Sequence, residues 1–172
     1  MTRPPDYGLL APSVSPSGIG GWLILPLIGL VFSVLLPLKA LIADVLPSFG
    51  TELWTNFTSP SSPLYSSYWA PYFVISAVSN VLLAGFASVL LVLFLRRKKE
   101  LPFLISLFYG VAVLSASFEA VSSTHLMSQL PAFIEPQVVK TANLAALRSL
   151  LVLVVWVWYF RVSTRVRNTF IV

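Results

Sequence analysis

Two side chains of opposite charge sit where this chain is otherwise hydrocarbon: Glu119 within LFYGVAVLSASFEAV (107–121) and Arg148 within LAALRSLLVLVVWVWYF (144–160). A charge at the centre of a membrane helix costs about 2.5–3.5 kcal/mol on insertion scales, so each needs something to offset it. The expected arrangement is an intramembrane pair, Glu119 with Arg148, with Asn80 as a third polar partner. Such a pair has two uses. It fixes the register of two helices, or it forms a polar site or ion path. An arginine keeps its proton in proteins, so any proton relay would rest on Glu119.

Other chemistry is thinly represented. The chain has no cysteine, which removes disulfides, thiolate metal sites and cysteine nucleophiles together. Its one histidine, His125, has no Cys, Asp or Glu at ligand spacing and reads as a surface residue, not a metal ligand. No histidine lies at membrane depth to activate a serine, no glycine-rich phosphate loop follows a strand, and no carboxylate pair is evident. The expectation is a protein that is not an enzyme, with no metal and no cofactor.

The elements that must position these residues follow from composition. Of 172 residues 57% are hydrophobic and 10% charged, against roughly 45–50% and 25% in average soluble domains. Crossing a hydrocarbon core of about 30 Å takes about 20 apolar residues. Four stretches qualify: 21–43, 70–95, 101–121 and 143–160. The fold expected is all-α, a compact integral membrane four-helix bundle occupying 21–162, preceded by an N-terminal segment 1–20 and followed by a basic amphipathic tail 163–172. About 20 polar, Pro/Ser-rich residues before a full-length span do not resemble a cleaved signal peptide, so the first helix is expected to be retained.

Charge sets the orientation. Arg96, Arg97, Lys98 and Lys99 fill the connection between the second and third spans, and Arg161, Arg165 and Arg167 follow the fourth. The positive-inside rule places both groups, and with them both termini, in the cytoplasm, where they face anionic headgroups. The loops at 44–69 and 122–142 then face out, carrying Asp44, Glu52 and Glu135. Basic residues without interleaved aromatic rings give no nucleic-acid platform. Trp54, Phe57, Tyr65, Tyr68, Trp69, Trp156, Trp158 and Tyr159 read as interfacial belts. The stretch TNFTSPSSP is expected to be non-helical along the outer surface, and Asn56-Phe57-Thr58 fits a glycosylation sequon. VLPSF at 45–49 and QLPAF at 129–133 hint at two similar helix pairs.

Within the spans, Ser76, Asn80, Ala84 and Ser88 recur every four residues, Ala112, Ser115, Ala116, Glu119 and Ser122 follow 3–4 spacing, and Pro26, Gly29, Ser33 and Pro37 form a similar stripe. Small and polar rows of this kind let helices approach and hydrogen-bond across the seam. Side chains lean toward a helix N-terminus, so Glu119 on an outgoing helix and Arg148 on a returning one lean toward each other across a depth gap of roughly 5–10 Å at 1.5 Å per residue. After Phe160 a continuous helix would put Val162, Val166 and Thr169 or Phe170 on one face, docking Phe170 on the bundle or a partner.

Three stretches together resemble a known family: GIGGWLILPLIGL (18–30), RRKKELPFL (96–104) and YFRVSTRVRNTFIV (159–172), the last with a Ser-x-Arg-Val-x-x-Thr-Phe pattern at Ser163, Arg165, Val166, Thr169 and Phe170. They are similar to the small bacterial membrane proteins of the domain of unknown function 2569 family. That resemblance implies four helices in a bacterial inner membrane and no particular activity. The family tends to have an acid, usually Asp, in the third helix and an arginine early in the fourth, places held here by Glu119 and Arg148; the longer acid departs from the pattern. Two functions stay open: an accessory or structural subunit of a larger membrane assembly, partnered by other subunits or by itself, and a small oligomeric transporter working through Glu119, Arg148 and Asn80.

Overall fold

The computed structural model describes residues 17–128 and 136–171. Most of the N-terminal segment, the QLPAF motif and Glu135 lie outside the described residues. Six α-helices follow in order: α1 (Ile24–Ala40), α2 (Glu52–Thr58), α3 (Trp69–Leu95), α4 (Leu101–Met127), α5 (Pro136–Val162) and α6 (Thr164–Thr169), with no strand among the described residues. Among the described residues, four helical stretches are long and apolar enough to cross a membrane: Gly21–Ser48, Trp69–Leu95, Leu101–Met127 and Gln137–Val162.

Three of these outrun the expected spans. The third continues past Val121 to Met127, and the fourth starts before Asn143. Helices of about 40 Å exceed a hydrocarbon core of about 30 Å, so their final turns emerge where Ser, Thr, Gln and Lys are tolerated without any need for the helix to stop. Apolar content marks the bilayer, and hydrogen bonding marks the helix.

The first span changes its winding. Pro37 sits inside α1 and cannot supply an amide to the preceding turn. Beyond it the chain widens into a π turn over Leu41–Val45 and tightens into a 3-10 turn over Leu46–Ser48, with Pro47 near its start. The expected non-helical stretch TNFTSPSSP is helical in its first part. Thr51 caps α2 by accepting from the Trp54 amide at 3.4 Å, and the helix ends at Thr58, before Pro60. The residues of the sequon therefore lie in α2.

α1 packs on α3, α3 on α4, and α4 on α5, while α1 and α5 are not packed side by side. The helices form an arc, more open than the compact four-helix bundle expected from the sequence. Its core is concentrated at the end carrying the basic residues, where Leu23 and Leu30 of the first span meet Leu90, Phe94, Leu101, Ile105 and Phe160. Toward the other end the buried positions are Trp69, Leu126 and the small residues Ser76, Ala84, Ala120 and Ser123. One end is thus an apolar plug, and the other buries fewer large apolar side chains.

The tail does not continue α5. Ser163 breaks the helix with ψ of 119° and becomes the N-cap of α6, its hydroxyl accepting from the Val166 amide at 3.4 Å. Val166, Thr169 and Phe170 are only 1%, 2% and 6% exposed. Phe170 meets Phe94 edge-on at 5.3 Å and lies 6.3 Å from Phe160. Val162, expected on the docking face, is left exposed on the other side of the break.

Candidate functional site

Glu119 faces α3. Tyr72 donates its hydroxyl to one carboxylate oxygen at 2.9 Å, and Ser76 donates to the other through a short hydrogen bond. The Asn80 side-chain amide donates to the Ser76 carbonyl at 2.8 Å. Tyr72, Ser76 and Asn80 are spaced by four residues and so share one face of α3. These groups line a cavity of about 390 Å³ together with Ser115 and with Asp44, which the π turn of the first span places on its wall. Asp44 is exposed and Glu119 half-buried.

Arg148 lies elsewhere. It lines a groove of about 310 Å³ walled by Phe32, Ser33, Leu36 and Pro37 of α1 and by Ser149 and Val152 of α5, over Leu83, Phe108, Tyr109 and Ala112. This is the gap left where α1 and α5 fail to pack. Arg148 is exposed there and has no hydrogen bond or ion pair with any described residue. The expected Glu119–Arg148 pair is therefore not formed. The α4 residues beside Arg148 are 108–112, seven or more residues from Glu119, an axial separation of roughly 10 Å or more. Asn80, expected beside Arg148, belongs to the Glu119 cavity.

The polar rows also behave differently from expectation. Ser33, Ser88, Ser106 and Thr124 donate to carbonyls four residues back in their own helices at 2.8–2.9 Å, and Ser149 to Ala146. A hydroxyl in a helix has a carbonyl always within reach, whereas a partner across a seam needs the right rotation of both helices. Seam-crossing bonds within the membrane spans occur, among the described residues, at Glu119.

Sequence reasoning missed Tyr72 and Asp44. Tyr72 carried a usable signal, since it extends the Ser76–Asn80 stripe by one turn. Asp44 carried none, because its placement follows from the change of winding after Pro37. Aromatic residues assigned to the outer belt also pack in a cluster with tilted rings: Trp54 lies 4.9 Å from Phe49 and 5.8 Å from Phe73, and Phe57 lies 4.3 Å from Trp69. Phe73, on the cavity wall, joins this cluster. His125 lies edge-on to Tyr68 at 5.0 Å. No group of three or more His, Cys, Asp or Glu residues with metal-binding geometry occurs among the described residues.

At the basic end Arg96, Arg97, Lys99, Arg161 and Arg167 are exposed, while Lys98 and Arg165 are half-covered. The Arg165 guanidinium packs on the backbone of Gly20 and Gly21, where a methyl at Gly20 would lie 3.1 Å from Nη1. Gly21 also has φ of 54°, open to glycine at little cost. The Thr169 hydroxyl lies 2.7 Å from the Arg165 carbonyl and 3.3 Å from that of Gly18, bridging the tail to the start of the first span.

Four long apolar helices, an apolar plug at one end and two polar centres define a small helical membrane protein. It belongs to the family described as Protein of unknown function (DUF2569), whose match covers residues 16–171. The glycine-rich start and the Ser-x-Arg-Val-x-x-Thr-Phe ending that carry the resemblance are in mutual contact, through Arg165 and Thr169. No curated protein and no solved structure matches the chain.

Proposed function

We propose that this protein is a non-enzymatic accessory subunit of a larger assembly in the bacterial inner membrane, with both termini cytoplasmic and its basic end against anionic headgroups. The charge asymmetry of the loops supports that orientation. One observation carries the subunit reading: an exposed arginine without a partner among the described residues, in an open groove near the middle of α5. Arg148 is roughly 18 Å from one end of that helix and 21 Å from the other. Lipid phosphates lie beyond the hydrocarbon layer, about 15 Å from its centre. The occupant that matches this depth and charge is a membrane helix of another subunit, bearing a carboxylate and filling the groove between α1 and α5.

The transporter reading draws support from the cavity beside Glu119. The fully buried Leu23, Leu30, Leu90, Phe94, Leu101 and Ile105 weigh against a path through a single copy. Purification in mild detergent followed by mass spectrometry tests the subunit reading. The expected result is a second membrane protein in fixed ratio, lost in Arg148→Leu at normal insertion and retained in part in Arg148→Lys. A homogeneous particle holding this chain alone, or a partner indifferent to Arg148→Leu, would overturn it.

A further inference from the structure

We infer that the cavity between the π turn of the first span, α3 and α4 binds a small organic ammonium ion. Its volume, about 390 Å³, falls within the range of small-molecule pockets, about 300–1,000 Å³. That is far more than one water's share of about 30 Å³, and too much for a bare metal ion. Two acidic residues line it, Asp44 and Glu119, and neither Lys nor Arg does.

The individual groups specify the ligand further. Glu119 accepts two hydroxyl hydrogens, from Tyr72 and Ser76. A carboxylate has about four acceptor positions, so capacity for further N–H donors is left. Asn80 spends an amide hydrogen on the Ser76 carbonyl, which keeps its own oxygen as an acceptor. Tyr72 and Phe73 add aromatic rings to the wall, and aromatic rings attract a cation carrying hydrocarbon. Acceptors, two acidic residues and aromatic rings together match an alkylammonium. Only two of the lining residues are acidic, and no group of three or more His, Cys, Asp or Glu suited to a metal ion occurs among the described residues. This inference is independent of any partner at Arg148.

The test is titration of the purified protein in detergent with butylammonium chloride, with butanol and sodium chloride at matched concentration as controls. Tryptophan fluorescence is a local readout, because Trp54 and Trp69 each lie 5.8 Å from Phe73. Thermal stability is the second. A saturable change with butylammonium alone is expected, at least tenfold weaker in Glu119→Gln and weakened in Asp44→Asn. If Glu119→Gln fails to fold, Asp44→Asn decides, since it alters an exposed position at the wall. No saturable response, an equal response to sodium or butanol, or unchanged binding in Asp44→Asn would overturn the inference.

Discussion

A half-buried carboxylate is stabilised by whatever donors its own helix rotation brings into reach, and for Glu119 these are hydroxyls. Hydrogen bonds to charged groups contribute about 1.5–3 kcal/mol each. Tyr72→Phe is therefore expected to lower stability by about 2 kcal/mol, and the loss should largely vanish in a Glu119→Gln background. Arg148→Leu and Glu119→Gln, by contrast, should be additive to within about 0.5 kcal/mol, as for sites that share no partner. Thermal or denaturant unfolding in detergent measures both cycles. Strong coupling between positions 119 and 148 would show a direct pair and contradict the geometry described here.

At the scale of elements, ends and breaks decide the shape. The end of α3 is a left-handed cap built on a non-glycine residue: Arg97 has φ of 53°, its amide bonds the Phe94 carbonyl at 3.1 Å, and the Lys98 amide bonds that of Leu93 at 3.0 Å. Such a position normally takes glycine, because a Cβ there crowds the following carbonyl. Arg97→Gly is expected to raise stability by about 1 kcal/mol, read as a higher unfolding temperature in detergent. A fall would mean that the Arg97 side chain contributes more than its backbone strain costs. Ser163 acts in the opposite sense, interrupting a helix that would otherwise carry Phe170 away from the plug.

Across the whole molecule, the arc of helices is closed at one end by the tail and left open at the other. Phe170 seals the plug against Phe94 and Phe160, so Phe170→Ala should cost about 3 kcal/mol. Deleting residues 169–172 should cost at least as much while every arginine is retained. Unfolding midpoints compared with Phe170→Leu, which keeps most of the apolar volume, check this. Equal stability of all three variants would show that the tail does not hold the plug closed. The groove lies at mid-depth and the cavity toward the open end, in keeping with the proposal of a partner met within the membrane.

Apolar length and loop charge are local quantities, so the four spans, the basic end and the family were legible from the residues alone. Helical tails beyond the bilayer, as in α4 and α5, were not, because polarity there no longer reports on helix ends. Glu119 was legible as a costly residue, and so was Arg148. Their partners were not. Each residue along a helix turns the side chain by about 100° and advances it 1.5 Å, so one turn of axial slip between neighbours replaces every contact across a seam. Only the packed structure decided that Glu119 faces Tyr72 and Ser76, that the π turn after Pro37 places Asp44 beside them, and that Arg148 lies in a groove with its charge unmet by any described residue.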